Sequence, residues 1–184
     1  MITTYPGTTI EVLSIEKGSS RRLFDGIFTT GGITLSQVSV MTGLEPYLIQ
    51  NWVKRGFLTS PVKRFYSKDQ FARIIIINML RESLQIDKIC GLIKIIGRVL
   101  EDDSDDLISD SELYHRYVDM LAEGNMNTSD ASSVALAAEK ATADFENGTV
   151  GAKHQLTNIL QVMAYAHAAA TFRRSAEDML AALH

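Results

Sequence analysis

The chain has 184 residues with 18 Lys and Arg against 22 Asp and Glu, 46% apolar residues, one Cys and three Pro. That length gives one or two domains whose core needs no metal or disulfide staple, and so ordinary a composition excludes a disordered tail, a collagen or a low-complexity scaffold. A single cysteine excludes a disulfide framework and a Cys-based zinc site, and the aliphatic run Ile74–Ile77 is far shorter than the ~20 residues that span a bilayer. The N-terminus lacks the basic-then-apolar pattern of a signal peptide. The expectation is a cytoplasmic globular protein with no membrane partner.

Net charge, at −4, conceals a segregation. Residues 21–100 hold 12 Lys and Arg against 5 Asp and Glu, whereas residues 101–184 hold 5 against 15. A basic block joined to an acidic one suggests that the first meets a polyanion and the second does something else.

In chain order, residues 1–32 read as an N-terminal extension with a short alternating stretch at Ile10–Ile15 and a helical pattern over Arg21–Phe28 that Gly31-Gly32 ends. Residues 35–54 fit a helix-turn-helix. Thr34 caps the first helix, and Gly43 lets the chain leave it in a left-handed conformation. Ser39 is small where the second helix crosses, and Val38, Leu44, Ile49 and Trp52 are the shared core. Glu45-Pro46 opens the second helix. Arg55-Gly56-Phe57-Leu58 closes it, and a short excursion follows with adjacent cations, Lys63-Arg64, and an aromatic, Tyr66. Such a wing can lie along a phosphate backbone. Two Ile- and Leu-rich helices are expected next, over Lys68–Leu80 and Ile86–Leu100.

These features resemble the MerR-type winged-helix regulators. The shared pattern is an aromatic-x-x-x-Gly-Leu-Leu helix end, here Trp52-Val-Lys-Arg-Gly56-Phe57-Leu58, then Arg64-Phe-Tyr66, then the two helices. A closer resemblance, over residues 33–117, is to a bacterial family known only as a domain of unknown function with a MerR-like fold. It rests on Thr42-Gly43-Leu44, Ile49–Gly56, Arg73-Ile74 with Ile77-Asn78, the acidic stretch Asp102–Asp106 and Leu113-Tyr114. The resemblance implies a fold and leaves target, ligand and activity open. MerR regulators usually open the second helix with Arg-Thr-Leu-Arg. This chain has Tyr47-Leu48-Ile49-Gln50, so both arginines are replaced, and Gln50 or Asn51 is left to read an adenine edge.

The candidate DNA-binding residues are Tyr47, Gln50, Asn51, Lys54 and Arg55 on the helix and Lys63, Arg64 and Tyr66 on the wing, with Trp52 structural. The bland alternative for the helix residues is a solvated face. Glu101–Asp106 lacks calcium-loop spacing and reads as a solvated linker. His115, His154, His167 and His184 show no ligand spacing, and Cys90 reads as a small buried hydrophobe. No nucleophile elbow, phosphate loop or Ser/His/Asp grouping can be assembled, so neither an enzyme nor a cofactor is expected.

Residues 101–184 are expected to be an acidic helical region for dimerisation or signal input. Ser109–Glu112 looks like a capping box, a helix follows Thr128-Ser129-Asp130, and Val150–Leu183 is one long pattern. Within it Val162, Tyr165, Ala169, Phe172, Ala176, Met179 and Leu183 form a heptad seam, with Leu156, Ile159, Leu160 and Met163 on a second apolar face. The fold class is mainly α: a winged helix-turn-helix domain over 33–100, then an all-helical region ending in a long helix. The functional expectation is a homodimeric regulator of transcription that binds double-stranded DNA, with a small-molecule or protein effector possible. The rival is a helical protein–protein adaptor that keeps the fold without binding DNA.

Overall fold

The run of isoleucines in the middle of the sequence becomes the axis of the molecule. The computed structural model describes residues 3–96, 108–124, 126–146 and 150–183. The acidic run 101–106, the end of the helix expected to reach Leu100, and the breaks at Asn125 and Asn147-Gly148 lie outside the described residues. The elements are β1 (Thr3–Thr4), β2 (Glu11–Val12), α1 (Ser19–Ile27), β3 (Ile33–Thr34), α2 (Leu35–Thr42), α3 (Pro46–Lys54), β4 (Phe65–Tyr66), α4 (Lys68–Leu80), α5 (Ile86–Ile96), α6 (Asp110–Ala122), α7 (Ala131–Ala141) and α8 (Ala152–Ala181). The chain is mainly helical, with two small antiparallel sheets, β1–β2 and β3–β4.

Ser67 caps α4, accepting from the Gln70 amide while the Gln70 side chain returns to the Ser67 amide. Phe71, Ala72, Ile74 to Ile77, Met79 and Leu80 are all buried. A helix apolar on every side needs neighbours on every side, and α2, α5, α6 and α8 supply them. One core cluster therefore runs from Tyr5 through Trp52 and Tyr114 to Ala166, and no break in packing separates the basic part of the chain from the acidic part.

The N-terminal residues form a strap closed over this core. Gly7 passes so near α4 that a Cβ there would clash with the Ile75 carbonyl oxygen. Tyr114 donates its hydroxyl hydrogen to the Pro6 carbonyl, and Asn78 donates to the carbonyls of both Gly7 and Thr42. Thr9 bonds the carbonyls of Val40 and Met41, tying the strap to the end of α2.

Acidic side chains of α6 reach back across the core. Arg21 pairs with Glu112 and Asp119, and Arg73 with Asp110 at 2.7 Å. Ser109 caps α6 as expected, but Glu112 spends its carboxylate on Arg21 and Arg116 rather than on the cap. No described helix is long and apolar enough to cross a membrane.

Two imidazoles are withdrawn from solvent, His115 buried and His167 half-buried at the wall of a cleft. His115 meets the Ser20 hydroxyl at 2.9 Å and the edge of Phe24, and His167 meets the Tyr117 hydroxyl at 2.8 Å. Burial, aided by nearby Arg21 for the first and Arg174 for the second, lowers each pKa to about 4. In the unfolded chain both protonate near pH 6.5, so between 6.5 and 4 the unfolded state binds more protons and stability falls as pH falls. We predict that the unfolding free energy declines from pH 7 to 4.5 by roughly 2 kcal/mol per imidazole. His115→Gln, followed by denaturant titration at each pH, should remove about half of that decline; an undiminished decline would show that His115 does not contribute.

Candidate nucleic-acid interface

Two helices and a hairpin build the surface. Thr34 caps α2 with a reciprocal bond from Gln37, as its sequence position implies. Gly43 ends the helix at φ 69°, where its amide bonds Ser39 and a side chain would meet Thr9. Ser39 is more than small: its hydroxyl donates to the Leu44 carbonyl at 2.6 Å and so closes the turn. Val38, Leu44, Ile49 and Trp52 are buried together. The far end of α3 closes with Gly56 N–H on Val53 and Phe57 N–H on Trp52, a Schellman pair.

This packing decides which side of α3 faces out. With Ile49 and Trp52 inward, residues 47, 50, 51 and 54 fall on the opposite stripe. Tyr47 is 69% exposed, and Gln50, Asn51 and Lys54 are exposed with it. Arg55 is exposed at the edge, its guanidinium stacked 4.5 Å from the centre of the Phe57 ring.

The hairpin after α3 pairs with the strand before α2: Ile33 faces Tyr66 and Thr34 faces Phe65. Gln70, at the start of α4, holds its root by donating to Thr59 and to the Ser60 carbonyl. Val62 and Phe65 exchange both backbone hydrogen bonds, leaving Lys63 and Arg64 as a two-residue loop. Both have positive φ, 50° and 73°, the pattern of a type I′ turn. Asn-Gly would adopt it readily, whereas two long cationic side chains cost about 1 kcal/mol each.

Of the eight residues singled out from sequence, seven are at the surface. Tyr66 is the correction: it is 2% exposed, its pKa raised by burial, and it belongs to the core. The hairpin aromatic that faces solvent is its neighbour Phe65, 49% exposed. The signal available was strand alternation, which turns adjacent side chains to opposite faces.

Gln50 and Arg64 come together across a cleft of about 460 Å³ between α3 and the hairpin. Thr34, Leu35 and Ser36 at the start of α2, with Val53, Pro61 and Tyr66, complete its lining. Sequence reasoning did not anticipate Ser36 there. No carboxylate lines this cleft. By contrast, a larger cleft of about 710 Å³ beneath the strap is lined by Glu82 and Asp178 as well as Arg81 and Arg174. Lys54, Lys63 and Arg64 make no ion pair with a described residue, whereas Arg21, Lys68 and Arg73 are each paired with a carboxylate.

The outer surface of α3, the hairpin and their supports fall inside one stretch of family similarity. Residues 32–117 are similar to the family described as a domain of unknown function, DUF1836. No curated protein and no solved structure matches the chain. The DUF1836 span starts just before β3 and stops within α6. The first turns of α6, at the end of that span, pack on α4. Asp110 pairs with Arg73, the Ser111 amide donates to Asp69, and Leu113, Tyr114 and Tyr117 are buried.

The loop geometry yields a test of stability alone. Replacing Lys63-Arg64 by Asn-Gly is expected to raise the unfolding free energy by about 1–2 kcal/mol in denaturant titrations. A loss of stability would mean that the two cations are held by contacts outweighing the backbone cost.

Proposed function

We propose that this chain binds duplex DNA as a homodimer and regulates transcription, reading the groove with α3 and gripping the backbone with the β4 hairpin in the manner of a winged helix. The observation that carries the reading is the cation-tipped, carboxylate-free cleft between α3 and the hairpin, lined by Gln50 and Arg64. An α-helix fits the major groove, and an amide side chain such as Gln50 or Asn51 can bond an adenine edge in two places. Lys54, Lys63 and Arg64 would meet phosphates, an interaction that releases counterions. The strained backbone under Lys63 and Arg64 supports the same reading. A loop that gives up stability to display two charges has a use for them.

Dimerisation is proposed because one winged helix makes too few base contacts to select a site. The expected seam on α8, from Val162 and Tyr165 through Ala169, Phe172 and Ala176 to Met179 and Leu183, is exposed throughout. The other apolar face, Leu156, Ile159, Leu160 and Met163, is buried in the chain's own core.

The rival reading, a protein–protein adaptor, draws on the exposed apolar side chains Val40, Val62 and Phe65 of the same region. Salt separates the two. DNA binding through phosphates falls steeply with salt, and changing Lys63 and Arg64 together to Ala should flatten the plot of log K against log salt by about 2 units on random duplexes. An unchanged slope would remove the hairpin from the interface, and no binding to duplex DNA at low salt would favour the adaptor.

A further inference from the structure

The two ends of α8 lie in different surroundings. From Ala152 to Ala170 the helix buries a face that includes Leu156, Leu160 and Met163; from Thr171 to Leu183 every side chain is exposed. The helix continues through the first 11 of those residues, to Ala181, which makes ~16 Å of helix. In proteins most helical stability comes from packing an apolar face, not from propensity.

That face exists and carries no charge. At 100° per residue, Tyr165, Ala169, Phe172, Ala176, Met179 and Leu183 fall opposite the buried Met163 and Ala170. Phe172, Met179 and Leu183 are 64%, 72% and 81% exposed. The charged groups turn elsewhere: Arg173 pairs with Glu177 and donates to the Glu82 carbonyl, and Arg174 pairs with Glu82.

Side-chain size along the face decides what can cover it. Large and small alternate: Tyr165, Ala169, Phe172, Ala176, Met179. Two copies side by side in the same direction would set alanine against alanine and Phe172 against itself, leaving voids beside a crowded layer. Run in opposite directions about an axis beside residue 174, the same face fits itself. Phe172 then meets Ala176 of the second copy, Met179 meets Ala169, and Leu183 meets Tyr165. The overlap, residues 165–183, is ~28 Å long and covers on the order of the 1,000 Å² that separates specific from incidental contacts.

We infer that a second copy of this chain packs antiparallel on the outward face of α8, centred at residue 174. This inference rests on the dimer proposed above and is tested without DNA, so its failure leaves the DNA-binding surface to be judged by its own salt dependence. Gln155 is exposed and lies outside the overlap. A spin label on Gln155→Cys, with the native thiol removed by Cys90→Ala, reads the direction through pulsed dipolar spectroscopy. Nineteen residues from the axis in each copy, the labels should sit about 57 Å apart. Parallel helices at their usual axial separation of ~10 Å would give a distance several-fold shorter. A size swap gives the second measurement, read by sedimentation. Phe172→Ala and Ala176→Phe should each weaken the dimer at least tenfold, and the two together should restore it. A short label distance, a monomer at the labelling concentration, or a double variant no better than the singles would each overturn the inference.

Discussion

Everything in this structure hangs on the burial of α4. Ile74 to Ile77 are fully buried, and leaving even one such side chain in water would forfeit about 1.5–3 kcal/mol. The helix is therefore held on all sides, and the outer surface is positioned from its two ends. Gln70 at the first end anchors the root of the hairpin through Thr59 and Ser60. Asn78 at the other binds the Thr42 carbonyl, where α2 stops and the turn to α3 begins. Helix and hairpin are set relative to each other by hydrogen bonds to one rigid rod.

The charge segregation seen in the sequence takes on a different meaning in three dimensions. Part of the basic block is consumed internally: Arg21 and Arg73 cross to carboxylates of α6 and hold that helix against α1 and α4. The Arg73–Asp110 pair is largely buried, so removing one partner would strand a charge at a cost of several kcal/mol. Lys54, Lys63 and Arg64 are among the cations of that block that make no ion pair with a described residue, and Arg64 lines a cleft that has no carboxylate among its described lining residues. The acidic block is thus in part a stabiliser of the fold.

Local chemistry was legible in the sequence; long-range pairing was not. Thr34, Gly43, Pro46 and Ser109 sit where caps and helix starts require them, and the long C-terminal pattern is α8. The inward set Val38, Leu44, Ile49 and Trp52 followed from helical spacing, and the outward stripe followed from that. Tyr66 failed because alternation sets Phe65 and Tyr66 on opposite faces without saying which of them is inward; the pairing with Ile33, more than thirty positions away, decides it. The strap was invisible for a similar reason. Its contacts run from Pro6 to Tyr114 and from Gly7 to Asn78, and no local periodicity encodes them. The sequence also held both apolar faces of α8 but not which one the chain keeps for itself.

The central claim is that the surface formed by α3 and the hairpin meets duplex DNA while the helices beyond α6 do not. Backbone amide NMR of the intact chain, titrated with a short duplex of mixed sequence, tests it residue by residue. Shift changes should concentrate at residues 47–55 and 62–66, with those of α7 unmoved. Changes spread over α7 and the start of α8, or none at low salt with protein and duplex in the millimolar range, would contradict it.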